Sequence, residues 1–403
     1  MTTAARSQKP AIVVAGHTMA LAVVRALGEA GVPVVVAHYD ERDMAQASRY
    51  VVAEFRTPDP MQQESLFIDA LMRRGERLRG CMLIPASDDS TVAISRHKQQ
   101  LEQHYVVACP EWEITERFID KRKTYALAEA HGVPAPRTLV PGSAADLEGH
   151  AAQLGFPMLV KPAESHLFYE RFKRKMFRVS TLSELGTIYG MASDAGLAVM
   201  LQEIIPGDDS SVVNYNSYFW NGEALAEFTA RHLRKAPPEF GSPRVAISER
   251  IPEVIEPGRK ILAAMGFHGF ACTEFKLDRR DGVYKLIEVN GRHNLSGLLA
   301  VRCGVNFPLM HYRHLMEGET PKVRAYRSGF YWTDIFRDVG YSVGYLREDQ
   351  HGLTSYLAPY ARPHCDAIFD RRDMGPFWAR LRYLVRHAGR TWRHSRKGGP
   401  SAP

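Results

Sequence analysis

Ala271-Cys-Thr-Glu-Phe-Lys-Leu-Asp-Arg-Arg-Asp-Gly-Val-Tyr-Lys-Leu-Ile-Glu-Val-Asn290 reads as two strands joined by a tight turn. Arg280-Asp281-Gly282 supplies a three-residue turn, with Gly282 suited to positive φ. Such a turn pairs Arg279 with Val283, and the ladder then sets Glu274 directly opposite Glu288. Asn290 lies two residues further on and points to the same face. A five-residue loop would move Glu274 opposite Leu286 and still keep the three on one face; an even-numbered loop would not. Facing carboxylates repel by about 0.2–1 kcal/mol when exposed and by more when buried, so a cation belongs between them. Two carboxylates and an amide oxygen are hard ligands, suited to a Mg²⁺ ion that keeps waters and shares phosphate oxygens. The competing neutraliser is a lysine: Lys276, on the face of Glu274 by parity, or Lys285, in a surface ion cluster. Gly291-Arg292 follows, putting a permanent fork of donors where a transferring phosphoryl group would sit.

Toward the N-terminus the pattern changes. Ala11 to Ala15 is a buried strand, Gly16-His17-Thr18 a turn, Met19 to Glu29 a helix ended by Gly31, and Val32 to Ala37 the next strand. Alternating β and α elements predict a parallel sheet covered by helices. The first turn lacks the G-x-G-x-x-G spacing of dinucleotide binders, which argues against NAD. Cys81 to Pro85 is a further strand, and Asp88 at its end either meets a ligand or caps the following helix. From Thr115 the chain is helical to His131. Apolar strands follow at Phe156 to Pro162 and Ala198 to Ile205, with a polar, basic loop, Leu167 to Arg178, between them.

Composition is that of an ordinary globular chain, 45% hydrophobic and 24% charged over 403 residues, too long for one core. No run approaches the length of a spanning helix, and no apolar leader is evident at the start. The five cysteines are scattered without C-x-x-C spacing and read as reduced thiols of a cytoplasmic protein. The net charge of +7 is local: residues 371–403 hold nine basic residues against Asp373, a net of +8, leaving the rest near −1. The basicity is therefore poor support for a nucleic-acid enzyme, and no nucleic-acid partner is expected.

Lysines at strand and helix ends suit polyphosphate. Asp120-Lys121 with Gly132-Val-Pro-Ala-Pro-Arg-Thr138, Phe156-Pro-Met-Leu-Val-Lys161-Pro162, Lys175, Gln202-Glu-Ile-Ile-Pro-Gly207 and the carboxylate hairpin occur in an order that resembles the ATP-grasp superfamily. The resemblance covers roughly residues 10 to 320 and is to the carboxylate–amine ligases related to the large subunit of carbamoyl-phosphate synthase. It implies an α/β protein with an N-terminal parallel-sheet domain (1–112), a linker helix and small α+β lid (113–205), a C-terminal α+β domain with the metal hairpin (206–325) and an extension (326–403). It implies ATP bound by Lys121, Lys161 and the lid residue Lys175. Gln202 and Glu203, with the backbone of Ile204 and Ile205, would form the adenine hinge. Asp208 or Asp209 would accept from the ribose. Glu274, Glu288 and Asn290 would hold one or two Mg²⁺ ions, with Mn²⁺ able to substitute. Arg292 and Arg234 would be the catalytic arginines. His232 stands where the family often has lysine, Gly291 replaces the usual proline, and His293-Asn294-Leu295-Ser296 differs from the aromatic residue often found there.

The implied reaction makes chemical sense. A carboxylate has no usable leaving group; phosphorylation by ATP makes an acyl phosphate, and an amine then displaces phosphate to give an amide and ADP. Phosphoryl transfer needs positioning and charge neutralisation, with no side-chain nucleophile, and a lid must exclude water. The basic loop 167–178 is the expected lid. The substrates would be a small carboxylate and amine, amino-acid-like. A carboxylase or phosphotransferase, or a nucleotide-binding protein without turnover, are the other readings; no biotin-carrier segment is evident. Beyond the resemblance, Tyr326 to Tyr345 is aromatic. Phe377, Trp378, Leu381, Leu384, Val385, Ala388 and Trp392 recur at helical spacing among arginines, a basic amphipathic helix. It would pack on its own protein, or make peripheral contact with an anionic membrane or an acidic partner. A homo-oligomer is compatible with all of this.

Overall fold

In a computed structural model the protein is described over residues 8–237, 241–321, 325–342 and 352–397. Pro238, Glu239, Phe240 and Tyr345, and the side chains of Ala388 and Trp392, lie outside the described residues. The described strands form three sheets. The first is parallel, in the order β3 (Val51–Arg56), β2 (Val34–His38), β1 (Ala11–Val14), β4 (Met82–Pro85), β5 (Val106–Val107). β1 and β4 are continuous apolar runs buried on both faces, as a helix-covered parallel sheet requires. Strand order reverses at β1, so the turns after β1 and β4 meet at a switch point, where ligands collect in such sheets.

The second sheet is small and antiparallel, in the order β6 (Thr138–Leu139), β9 (Val199–Glu203), β7 (Met158–Pro162), β8 (Phe177–Val179). The segment 167–178 is not a loop: a helix, Ser165–Phe172, and the edge strand β8 occupy most of it. Phe168, Phe172 and Phe177 pack at 4.7–6.1 Å and supply the apolar side that a loop would lack. The expected helix 115–131 is likewise two helices, Trp112–Ile119 and Lys121–Ala130. Asp120 breaks it with extended backbone and caps the second helix by accepting from the Arg122 amide.

The third sheet has the order β14 (Val283–Asn290), β13 (Gly269–Asp278), β10 (Val212–Trp220), β11 (Glu223–Ala236), β12 (Ser242–Ser248), β15 (Tyr331–Thr333), β16 (His364–Asp366). Its last two strands come from the segment after residue 325, so that extension is built into the sheet, with Trp332 fully buried. The basic helix, Gly375–Lys397, begins against the first domain: Gly375 abuts Ala47 and Phe377 packs on Phe336 and Phe369. Trp378 and Val385 remain at least half exposed. Among the described residues no helix is long and apolar enough to cross a membrane, and all five cysteines are free thiols.

Candidate active site

β13 and β14 pair Asp278 with Val283, so the turn is the four residues 279–282, not the expected three. An even turn alone would throw Glu274 and Glu288 out of step. A bulge corrects it: Phe275 pairs with Leu286 and Glu274 with Glu288, which leaves Ile287 as the extra residue. The bulge is held from outside, since the Tyr125 hydroxyl donates to the Ile287 carbonyl at 2.6 Å. At the turn, buried Asp278 accepts from Arg280 at 2.6 Å and Lys285 at 2.7 Å, and these hydrogen bonds hold its carboxyl far below the usual range. Lys285 is thereby removed from the glutamate pair.

The cation beside the pair comes from elsewhere. Lys121, first residue of its helix, donates to Glu288 at 3.0 Å, and its charge keeps Glu288 well below the ordinary carboxylate range. Glu274 bears the cost: burial, and then the charge of Glu288, push its pKa up to about 7. One carboxylate is thus charged and the other poised to lose its proton. The Asn290 side-chain oxygen faces Arg292 at 3.2 Å. Among the described residues no three His, Cys, Asp or Glu side chains converge as a complete metal cage. Two carboxylates and an amide oxygen on one wall are a partial oxygen set, which fits Mg²⁺ completed by water and phosphate.

These groups line a cavity of about 250 Å³ between the second and third sheets. At one end Leu159, Met176, Ile204, Ile205 and Val212 form an apolar slot. Lys121, Lys161, Lys175, Lys235, Lys276 and Arg292 surround the middle, and Met19, Asn294 and Ser296 close the far end. Lys161 is almost fully buried, held at 3.1 Å by both Tyr125 and Gln202. Lys175 reaches Ser242 across the cavity mouth at 3.3 Å. The Glu203 carboxylate accepts from the Arg137 amide at 2.9 Å and from Arg280 at 3.2 Å, so it fixes the strand end and is not offered to a base. Asp208 and Asp209 do not line the cavity. Asp208 accepts from the Ser210 amide, and Asp209 from the Lys235 amide at 2.7 Å.

Two expectations need correcting. Arg234 is not in the cavity: it is buried on the other side of β11, donating to Asp338 at 2.7 Å and to the Tyr356 carbonyl at 2.6 Å. Register breaks on either side of Arg234 reset the strand's alternation and present Lys235 instead. Asp88 does not cap its helix; Ser87 does, in a capping box with Ser90. Asp88 instead grips Arg292 with both oxygens, at 2.7 and 2.9 Å, tying the hairpin's arginine to the switch point of the first sheet. Gly291 also finds its reason, because a Cβ there would stand 2.3 Å from the Phe118 ring. Lys235, Asn214 and Asp88 as a positioning group are the residues sequence reasoning missed; the bulges and the inter-domain pairing hid them.

No protein-family model matches the chain. It is 28% identical over 259 residues to D-aspartate ligase of Enterococcus faecium (strain Aus0004), covering 62% of each. It is 26% identical over 200 residues to D-alanine–D-alanine ligase of Pseudomonas fluorescens (strain Pf0-1), covering 47% of this chain and 60% of that one. The chain thus spans about three fifths of the length of these relatives. Among solved structures, L-amino acid ligase from Bacillus licheniformis superposes with a TM-score of 0.61 at 18% identity, over 78% of both chains. Biotin carboxylase from Campylobacter jejuni superposes at 0.65 and 15%, over 80% of this chain and 74% of that one. The chain has an ATP-grasp fold. The third sheet carries the hairpin, and the cavity lies between it and the second sheet.

Proposed function

We propose that the chain is an ATP- and Mg²⁺-dependent ligase that activates a carboxylate as its acyl phosphate and joins it to an amine, releasing ADP and phosphate. The observation that carries this is the meeting in one cavity of four elements' worth of cations with the Glu274–Glu288 pair and Arg292. In this reading the apolar slot takes the base, with Ile204 and Ile205 at its edge. Lys121, Lys161 and Lys175 hold the phosphates. Glu274, Glu288 and Asn290 would hold Mg²⁺, which when bound neutralises the polyphosphate and the developing charge. A second ion, and Mn²⁺ in place of Mg²⁺, belong to the same proposal, since Mn²⁺ shares the preference for oxygen ligands. Arg292, oriented by Asp88, stabilises the transferred phosphoryl group as a preorganised donor. The relatives' names favour amino-acid-like substrates.

Release of ADP from Mg·ATP across a panel of carboxylic acids, each with and without amines, tests the reading, with Glu288→Ala as control. ADP that needs both acid and amine, and falls at least about 10²-fold in the variant, is expected. ADP formed with acid alone at the same rate would favour a carboxylase or phosphotransferase. Peripheral membrane contact through the basic helix is a separate proposal, supported by exposed Trp378 and Val385 among arginines. It predicts salt-sensitive sedimentation with phosphatidylserine vesicles; sedimentation unaltered in Trp378→Ala/Val385→Ser would contradict it.

A further inference from the structure

The phosphoryl end of the cavity is ill suited to an amine, because Lys121, Lys161, Lys175, Lys235 and Arg292 are all positive donors. Just beyond them the polarity reverses. Asn214 and Asn216 alternate on β10, facing Glu274 and Cys272 across the ladder with β13. Asn294 lies over Cys272, its amide nitrogen 3.3 Å from Sγ and 3.4 Å from Ser296 Oγ. The three asparagines are 1%, 3% and 6% exposed, and among the described residues none of their amide oxygens has a hydrogen-bond partner. A buried acceptor left unpaired forfeits its hydration without a replacement, so three in one neighbourhood mark a place built for something that donates. His293 adds a fourth polar atom of this kind, Nε2, on a ring stacked 4.4 Å from Phe270.

Asn214 lines the main cavity, and Asn294 and Ser296 stand between it and a recess that Asn216 also lines. The recess is small, about 10 Å³, room for roughly one water-sized group, and apart from His293 its other walls are apolar, among them Ala22, Val23, Phe228, Phe270 and Ala300. A carboxylate here would meet acceptors and no cation, so the acid belongs on the Arg292 and Lys235 side. A group with several N–H bonds and little bulk fits both the polarity and the size.

We infer that Asn214, Asn216 and Asn294 form the subsite of the amine nucleophile, and that it takes an amino group carried on an unbranched carbon, or ammonia. This rests on the ligase reading. Neutral oxygens suit the task, since a carboxylate would favour the ammonium form, whose nitrogen has no free electron pair. Held by its N–H bonds, the neutral amine attacks the acyl carbon. The C–N bond forms, the C–O bond to phosphate breaks with its electron pair going to phosphate, and the proton left on nitrogen passes to that phosphate.

The test is steady-state ADP release at saturating Mg·ATP and acid, titrating ammonium chloride, ethylamine, glycine, isopropylamine and alanine. The wild type is expected to use the first three at least about tenfold more efficiently than the two branched amines, and equal efficiency would contradict the size argument. Asn216→Leu and Asn294→Leu are expected to raise the amine KM about tenfold or more while the KM values for ATP and acid stay within about twofold. An unchanged amine KM, or all three rising together, would overturn the subsite. Asn216→Ser removes the same oxygen from the recess with less bulk and carries the same expectation if the leucine variant does not fold. No response to any amine in the wild type would overturn the ligase reading itself, and the subsite with it.

Discussion

Glu274 and Glu288 face each other as equals in sequence but not in environment. Lys121 takes Glu288, so burial and repulsion fall on Glu274 and lift its pKa from 4.5 to about 7. Between those values the folded protein holds a proton that the unfolded chain has lost, so stability falls as pH rises through that window. Metal-free Glu274→Gln should therefore melt higher than wild type at pH 8, with the difference shrinking toward pH 4.5; thermal melts in chelator check this. Arg234 and Lys235 divide in a similar way. Arg234→Ala takes the 2.7 Å arginine from buried Asp338, leaving it Arg244 and the Tyr360 hydroxyl, and should lose about 1.5–3 kcal/mol in denaturant melts. Lys235→Ala should cost less in those melts than Arg234→Ala and should lower ADP release from Mg·ATP. The reverse pattern would return Arg234 to the site. The charged residues on regular strands were readable from parity, but Lys235 was not, because register breaks flank its neighbour and no sequence signal announced them.

The hairpin shows how an element can reach the expected pairing by a different route. A four-residue turn and a bulge at Ile287 together give the pairing that a three-residue turn would have given alone. Periodicity fixed which residues face one way near Glu274, whereas the turn depended on Asp278, whose bonds to Arg280 and Lys285 close it. Fully buried strands such as β1 and β7 were legible because burial dictates their composition. β3 and β5 were not, because β3 is largely exposed and β5 is only two residues long. Tyr125 links three elements, donating to the bulge carbonyl and meeting Lys161 at 3.1 Å. Tyr125→Phe should cost about 0.5–1.5 kcal/mol and raise the KM for ATP roughly 3–10-fold, measured by melts and initial rates.

Across the whole molecule the extension after residue 325 acts as a strap. It adds β15 and β16 to the third sheet, and Asp373 then docks on the first domain. There Asp373 meets fully buried Arg25 at 2.9 Å, with Ser48 and the Arg49 amide at 2.8 Å. Arg25 lies on the helix whose first turn meets Arg292 through Met19, so the strap supports the wall of the cavity. Asp373→Ala leaves Arg25 buried without its carboxylate and should destabilise the protein by about 3–5 kcal/mol in denaturant melts. A change under about 1 kcal/mol would mean the strap is dispensable.

Carboxylate activation by phosphoryl transfer is the step on which the functional reading depends. It is followed most directly by running the reaction with an acid labelled with ¹⁸O in its carboxylate and measuring the isotope in the products by mass spectrometry. An acyl phosphate intermediate predicts one ¹⁸O delivered to inorganic phosphate for each amide formed, with ADP as the nucleotide product. Label appearing in AMP, or amide formed with unlabelled phosphate, would contradict it.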